Sequence, residues 1–121
     1  MDAEIIEIPI YKTKVELYAY DNIETSISLL KHKYEKYNFK IDQNTVGYST
    51  WIKVGGINKF IILINRDSDY SIIAHESLHL TWYILDSIGL EVNSKNHEAQ
   101  AYLLEYLLNN IFKHLQNEQK N

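Results

Sequence analysis

The chain has 121 residues, a formal net charge of −4, 45% hydrophobic residues and no cysteine. This length predicts a single domain over residues 1–121, and the apolar and charged fractions are those of ordinary globular proteins. The lack of cysteine excludes a disulfide scaffold, a thiolate nucleophile and any cysteine-ligated zinc. Because the chain is mildly acidic and has a single arginine, Arg66, we expect no nucleic-acid partner.

Signs of export and of membrane insertion are also missing from the sequence. No apolar run approaches the roughly 20 residues that are needed to span a bilayer. Residues 1–4 carry none of the basic side chains that open a secretory signal. We therefore expect a cytoplasmic protein that has no membrane partner.

The first elements in chain order are two predicted strands. Residues 5–20 are rich in β-branched and aromatic side chains, and from Val15 onwards apolar and more polar residues alternate with the period of a strand. Residues 5–11 are predicted to form a separate strand. Pro9 confines that strand to an edge of the sheet or to an extended arm, because proline cannot donate to a ladder.

A helix and a hairpin follow. Apolar residues recur at helical spacing over residues 21–38, which predicts the helix. Two strand-like runs over residues 46–64 lie on either side of Gly55-Gly56, and this pattern is typical of a hairpin. The second run is apolar on both faces, so we expect it in the centre of the sheet. The first run alternates more and is the better edge strand.

Two further helices complete the predicted fold. The apolar pattern indicates one helix over residues 70–88 and another over residues 96–115, with a polar, fraying tail at 116–121. The order β, β, α, β, β, α, α predicts an α+β fold. We expect a small, mostly antiparallel twisted sheet as a single layer, with one helix before the hairpin and two after it.

The predicted helices have recognisable end signals. Asp21 with Glu24 fits a capping box at the start of the first helix. Ser68 or Asp69 is the expected N-cap of the second helix, and Gly89 is a natural residue to end it.

The second helix carries the sequence His75-Glu76-Ser77-Leu78-His79, which has the pattern H-E-x-x-H. Residues four apart lie on one face of a helix, so both imidazoles can reach one metal ion. Glu76 lies beside this pair, where its carboxylate can reach a metal-bound water without binding the metal. The pattern predicts His75 and His79 as metal ligands and Glu76 as a general base.

A third ligand is expected because a catalytic zinc usually has three protein ligands and one open position. Glu98 follows His79 with eighteen residues between them, and a turn at Gly89 would bring the last helix back towards the histidines. Glu98 is therefore a candidate third ligand. His97 is the alternative, although it points about 100° away from Glu98 around the helix, so both cannot easily bind.

This spacing, H-E-x-x-H-x18-E, resembles the gluzincin zinc metallopeptidases, whose third ligand is a glutamate on the second helix. The resemblance covers about residues 72–106. It implies a minimal zincin fold, Zn²⁺ as the cofactor, and Glu76 as the base in peptide-bond hydrolysis. The small size and the composition rich in Asn, Lys, Ile and Tyr also resemble zincin-like proteins of phages and prophages, which adds a phage-associated location to our expectation.

Hydrolysis also requires a donor for the oxyanion that forms on the carbonyl. Tyr83, one turn after His79, and Tyr102, one turn after Glu98, are the candidates for this role. Asp86 and Glu105 are candidates to orient a histidine by accepting its second ring N–H.

Two functions remain open at this point. The first is a zinc-dependent metallopeptidase whose protein or peptide substrate lies extended along the predicted sheet edge at residues 48–54. The alternative is a non-catalytic zincin-like module that uses zinc for stability, or its groove to bind a peptide or partner protein. Glu76 favours the peptidase, because a purely structural zinc site does not need a base.

Overall fold

A computed structural model describes residues 3–42 and 44–119. Its strands are β1 (Glu4–Ile8), β2 (Thr13–Tyr20), β3 (Gly47–Val54) and β4 (Ile57–Asn65). Its α-helices are α1 (Ile23–Lys33), α2 (Tyr70–Ser87) and α3 (His97–Gln119), and short 3-10 helices span Pro9–Tyr11 and Ser94–Asn96. The predicted α+β fold is confirmed, with its elements in the expected order.

The four strands form one sheet in the order β1-β2-β4-β3. β1 is antiparallel to β2 and β3 is antiparallel to β4, whereas β2 and β4 are parallel. The parallel pair arises because α1 and β3 lie between these strands in the chain and provide a crossover connection. β4 is therefore internal and β3 is an edge strand, as their apolar patterns predict. β1, which Pro9 follows directly, forms the other edge.

Helices cover both faces of this single sheet layer. One face packs under α2 and α3 in a core that includes Val15 and Phe60, and the other packs under α1 in a core that includes Tyr18 and Ile61. Helices on both faces are needed because the apolar side chains of β2 and β4 point to both faces of the sheet and are buried there. Among the described residues, no helix is long and apolar enough to cross a bilayer.

The first helix begins and ends differently from the prediction. Its N-cap is Asn22, whose side-chain oxygen accepts from the backbone N–H of Thr25 at 2.9 Å. The predicted capping box of Asp21 with Glu24 is therefore wrong: the N-cap lies one residue later, and Asp21 lies 3.7 Å from the guanidinium of Arg66. The helix stops at Lys33, short of the predicted residue 38.

The later helix ends agree more closely with the sequence. Asp69 occupies the N-cap of α2, although its side chain makes no capping bond, and Ser68 instead accepts from the backbone N–H of Asn65 at 2.9 Å. Gly89 follows the end of α2 with a φ of 81°, in the left-handed region that favours glycine. α3 runs through Gln119, so part of the predicted tail is helical, and the rest of that prediction lies outside the described residues.

Candidate metal centre

The candidate site lies on α2, on the side of the helix that faces the edge strand β3. The buried side of α2, which includes Ile73, Leu80 and Ile84, packs against the sheet. The helical periodicity then turns His75 and His79 outwards, where both are exposed, while Glu76 lies buried between helix and strand. The three residues of the motif are therefore brought together by the helix itself.

The two histidines face each other through the same ring atom. Nε2 of His75 lies 3.2 Å from Nε2 of His79, and the ring centroids are 4.8 Å apart. Two nitrogens bound at about 2.0 Å to one tetrahedral zinc ion lie about 3.3 Å apart. The 3.2 Å contact is also that of a hydrogen bond between two imidazole nitrogens, and it matches the separation that two ligands of one zinc ion require.

The carboxylate of Glu76 has two different environments at its two oxygens. Oε1 accepts a hydrogen bond from the buried hydroxyl of Ser49 at 2.7 Å. Oε2 lies 4.0 Å from Nε2 of His75. One oxygen is therefore fixed to the sheet, and the other is directed towards the histidine pair.

The backbone of β3 approaches α2 closely at Gly47. A Cβ atom built on Gly47 would lie 2.9 Å from Cγ2 of Ile72 and 3.1 Å from Cγ of Glu76. Real Cβ atoms essentially never show contacts as short as the first of these. A side chain at this position would therefore push β3 away from α2 or displace Ile72, with a smaller shift of Glu76.

A small cleft opens beside the motif. Its volume is about 350 Å³, and it is lined by Val46, Ser71, Ile72, His75 and Glu76. One wall thus comes from the first turns of α2, and the other comes from the residue that precedes β3. The cleft gives a ligand access to both the exposed imidazole and the buried carboxylate.

The predicted third ligand lies elsewhere. Glu98, in the first turn of α3, is 89% exposed, and its Oε1 lies 3.6 Å from Nδ1 of His97. It lines a separate cavity of about 590 Å³, together with the 3-10 helix Pro9–Tyr11 and with Tyr102. Within residues 3–42 and 44–119, no three histidine or acidic side chains are grouped so as to hold a metal ion.

The residues predicted to stabilise the oxyanion or to orient a histidine do not all lie beside the histidine pair. Tyr83 stacks on His79, with 6.3 Å between ring centroids and 18° between planes, so it lies beside the pair. Tyr102 is 76% exposed in the cavity that Glu98 lines. In the part of the chain that the structure describes, no hydrogen bond or ion pair joins Asp86 or Glu105 to a histidine.

Two residues of the site carry no signal in the sequence. Ser49 and Gly47 lie in β3, far along the chain from Glu76, and neither belongs to a motif. Their role depends on the packing of β3 against α2, which no local pattern encodes.

Comparison with known proteins identifies no matching family model, no similar curated protein and no similar solved structure.

Proposed function

We propose that the chain is a zinc-dependent metallopeptidase, with His75 and His79 as metal ligands and Glu76 as the general base. The 3.2 Å separation of the two Nε2 atoms is the observation that carries this proposal. When bound, a zinc ion supplies a Lewis acid that polarises a peptide carbonyl and makes water more acidic.

Glu76 supplies the proton transfer of the reaction. Its Oε1 is engaged by Ser49, so Oε2 is the atom that accepts the proton from the attacking water. The same oxygen then donates the proton to the leaving amine. Burial of this side chain fixes its position, because a group that is packed on both sides has few alternative rotamers.

The proposed substrate is a peptide in an extended conformation along β3. This strand is an edge of the sheet and lies next to the motif, since Ser49 in the strand contacts Glu76 in the helix. An edge strand offers backbone donors and acceptors that a peptide can pair with. Trp51 is on the same face as Ser49 and is 48% exposed, so it provides an apolar surface for a substrate side chain.

Glu98 is our proposed third ligand. It shares the first turn of α3 with His97, and both side chains are mostly exposed. Glu98 lines the cavity beside the 3-10 helix Pro9–Tyr11, so metal binding by this residue requires the first turn of α3 to reorient towards the histidine pair. His97 is the competing ligand.

The first experiment measures the zinc content of purified protein by elemental analysis. Wild type is compared with His75→Ala, Glu98→Ala and His97→Ala after each has been dialysed against the same zinc buffer. We expect one zinc per chain in wild type and in His97→Ala, and little zinc in His75→Ala and Glu98→Ala, because the loss of a ligand should weaken zinc binding at least 10-fold.

A peptidase screen with Glu76→Gln as the matched control then separates binding from turnover. Glu76→Gln keeps the shape of the side chain and removes the base, so zinc content should be unchanged and cleavage should be lost. Wild-type protein that binds no zinc even after reconstitution would overturn the proposal.

A non-catalytic binding module is the second candidate function. The observation that favours it is the position of Glu98, which the described structure does not group with the histidine pair. This function predicts peptide binding along β3 with no cleavage, and binding that is the same in wild type and in Glu76→Gln.

A further inference from the structure

We propose that Ser49 is a positioning residue for the general base, holding Oε1 of Glu76 so that Oε2 is presented to the metal side of the site. This inference rests on the proposed function and deepens it, because it assigns a role to a residue outside the motif. It also makes the substrate-binding strand part of the catalytic arrangement.

The first observation is the geometry of the hydrogen bond between Ser49 and Glu76. A serine hydroxyl donates one proton, and the 2.7 Å distance from Oγ to Oε1 is that of a strong O–H···O bond to a carboxylate. Ser49 and Glu76 are both 9% exposed, so water competes little for this bond. The bond therefore selects one orientation of the carboxylate.

The second observation is the packing around the carboxylate of Glu76. The backbone of Gly47 lies against the side chain of Glu76, so that an added Cβ would come within 3.1 Å of Cγ and 3.4 Å of Oε2. Gly47 thus closes the space on one side, and Ser49 closes it at Oε1. Oε2 faces the small cleft that His75 also lines, and Nε2 of His75 lies 4.0 Å from it.

A purely structural role for Ser49 is the competing explanation, since any buried hydrogen bond contributes to stability. Thr81 provides a matched control for it. Its hydroxyl donates to the carbonyl of Ser77 at 2.8 Å, it is fully buried, and it lies on the same helix without contacting Glu76. Thr81→Val removes a comparable buried bond and leaves Glu76 untouched.

The test uses the full chain loaded with one equivalent of Co²⁺ in place of zinc. The visible d–d absorption of Co²⁺ follows the ligands of the ion and the hydrogen bonds made to them. Spectra are recorded for wild type, Glu76→Gln, Ser49→Ala, Ser49→Thr and Thr81→Val. The kinetic measurements first identify, in a digested bacterial lysate, individual peptides that wild type cleaves. They then determine kcat and KM for one such peptide.

We expect the Ser49→Ala spectrum to change in the same direction as that of Glu76→Gln. Ser49→Thr, which keeps the hydroxyl, and Thr81→Val should retain the wild-type spectrum. In the kinetic arm, Ser49→Ala should lower kcat by about 10-fold to 100-fold and leave KM nearly unchanged, because only the transition state loses an interaction.

Two outcomes would overturn the inference, the first with the proposed function left standing and the second together with the proposed general base. A wild-type spectrum in Ser49→Ala, with a changed one in Glu76→Gln, would make Ser49 merely structural. An unchanged spectrum in Glu76→Gln would mean that this carboxylate does not reach the metal. Failure of wild type to bind Co²⁺ or zinc is a different result, and it would remove the proposed metal centre together with this role of Ser49.

Discussion

A second buried glutamate, Glu16 in β2, is held by a different set of donors from those of Glu76. Its Oε2 accepts from the hydroxyl of Tyr34 at 2.5 Å, and its Oε1 accepts from the hydroxyl of Tyr18 at 3.0 Å and from Nζ of Lys33 at 3.1 Å. Buried charges are tolerated when hydrogen bonds replace water in this way. The cluster connects α1 to the sheet face opposite the candidate metal centre, so we assign it a structural role.

Glu16→Gln is expected to lower the free energy of unfolding by about 1 to 3 kcal/mol, because bonds to a charged acceptor are stronger than bonds to an amide. Urea denaturation followed by circular dichroism measures this change. Glu24→Gln, at an exposed position on α1, is the control and should stay within about 0.5 kcal/mol of wild type. Equal stability of the two variants would contradict a structural role for the Glu16 cluster.

Two glycines, one at a contact between elements and one at a helix end, are required for different physical reasons. Gly47 lies where β3 contacts α2, and an added Cβ there would come 2.9 Å from Ile72. Gly89 ends α2 with a φ of 81°, and nothing lies within 4 Å of its added Cβ. The first glycine is required for space and the second for backbone conformation.

Substitution by alanine should separate these two reasons. Gly89→Ala should lower the free energy of unfolding by about 1 kcal/mol through backbone strain and leave the Co²⁺ spectrum as in wild type. Gly47→Ala should cost about 1 to 3 kcal/mol through overpacking and also change the spectrum, because it displaces Glu76. Thermal unfolding and the visible spectrum measure the two effects, and an unchanged spectrum in Gly47→Ala would show that β3 adjusts without moving the base.

At the scale of elements, the sequence predicts well what is local. The strands of the hairpin, the helix α2 and the pairing of His75 with His79 follow from periods of two and of 3.6 residues. The position of Glu98 could not be predicted in the same way. It depends on the rotation of α3 about its axis, which is set by how Leu103 and Leu107 pack in the core against the sheet. Because neighbouring side chains on a helix point about 100° apart, a small error in this rotation sends Glu98 to a different side.

At the scale of the whole molecule, some contacts join residues that are far apart in the chain and cannot be predicted from any one segment. The cover of one sheet face by α1 accompanies the crossover that makes β2 and β4 parallel, and that pairing joins distant parts of the chain. The contact of Ser49 with Glu76 has the same origin, since it requires β3 to lie at the edge next to α2. Sequence patterns identify candidate residues, whereas their neighbours emerge only from the assembled fold.

Zinc should stabilise the molecule as a whole if it binds the folded chain alone. Free zinc at 100 times its Kd is expected to raise the free energy of unfolding by about 2.7 kcal/mol. Urea denaturation with and without zinc measures the difference, and His79→Ala should show none. A zinc effect of the same size in His79→Ala would place the metal elsewhere on the chain.

The crossover between β2 and β4 has a consequence for synthesis of the chain. The inner edge of β2, with Val15 and Leu17, pairs with Phe60 and Ile62 of β4, so it has no partner until the ribosome has released β4. During that interval the nascent β1–β2 hairpin presents an apolar strand edge, which is the kind of surface that joins other chains. Ribosomal pausing just before β4 would lengthen this exposure, and the yield of folded protein should depend on translation speed in that stretch.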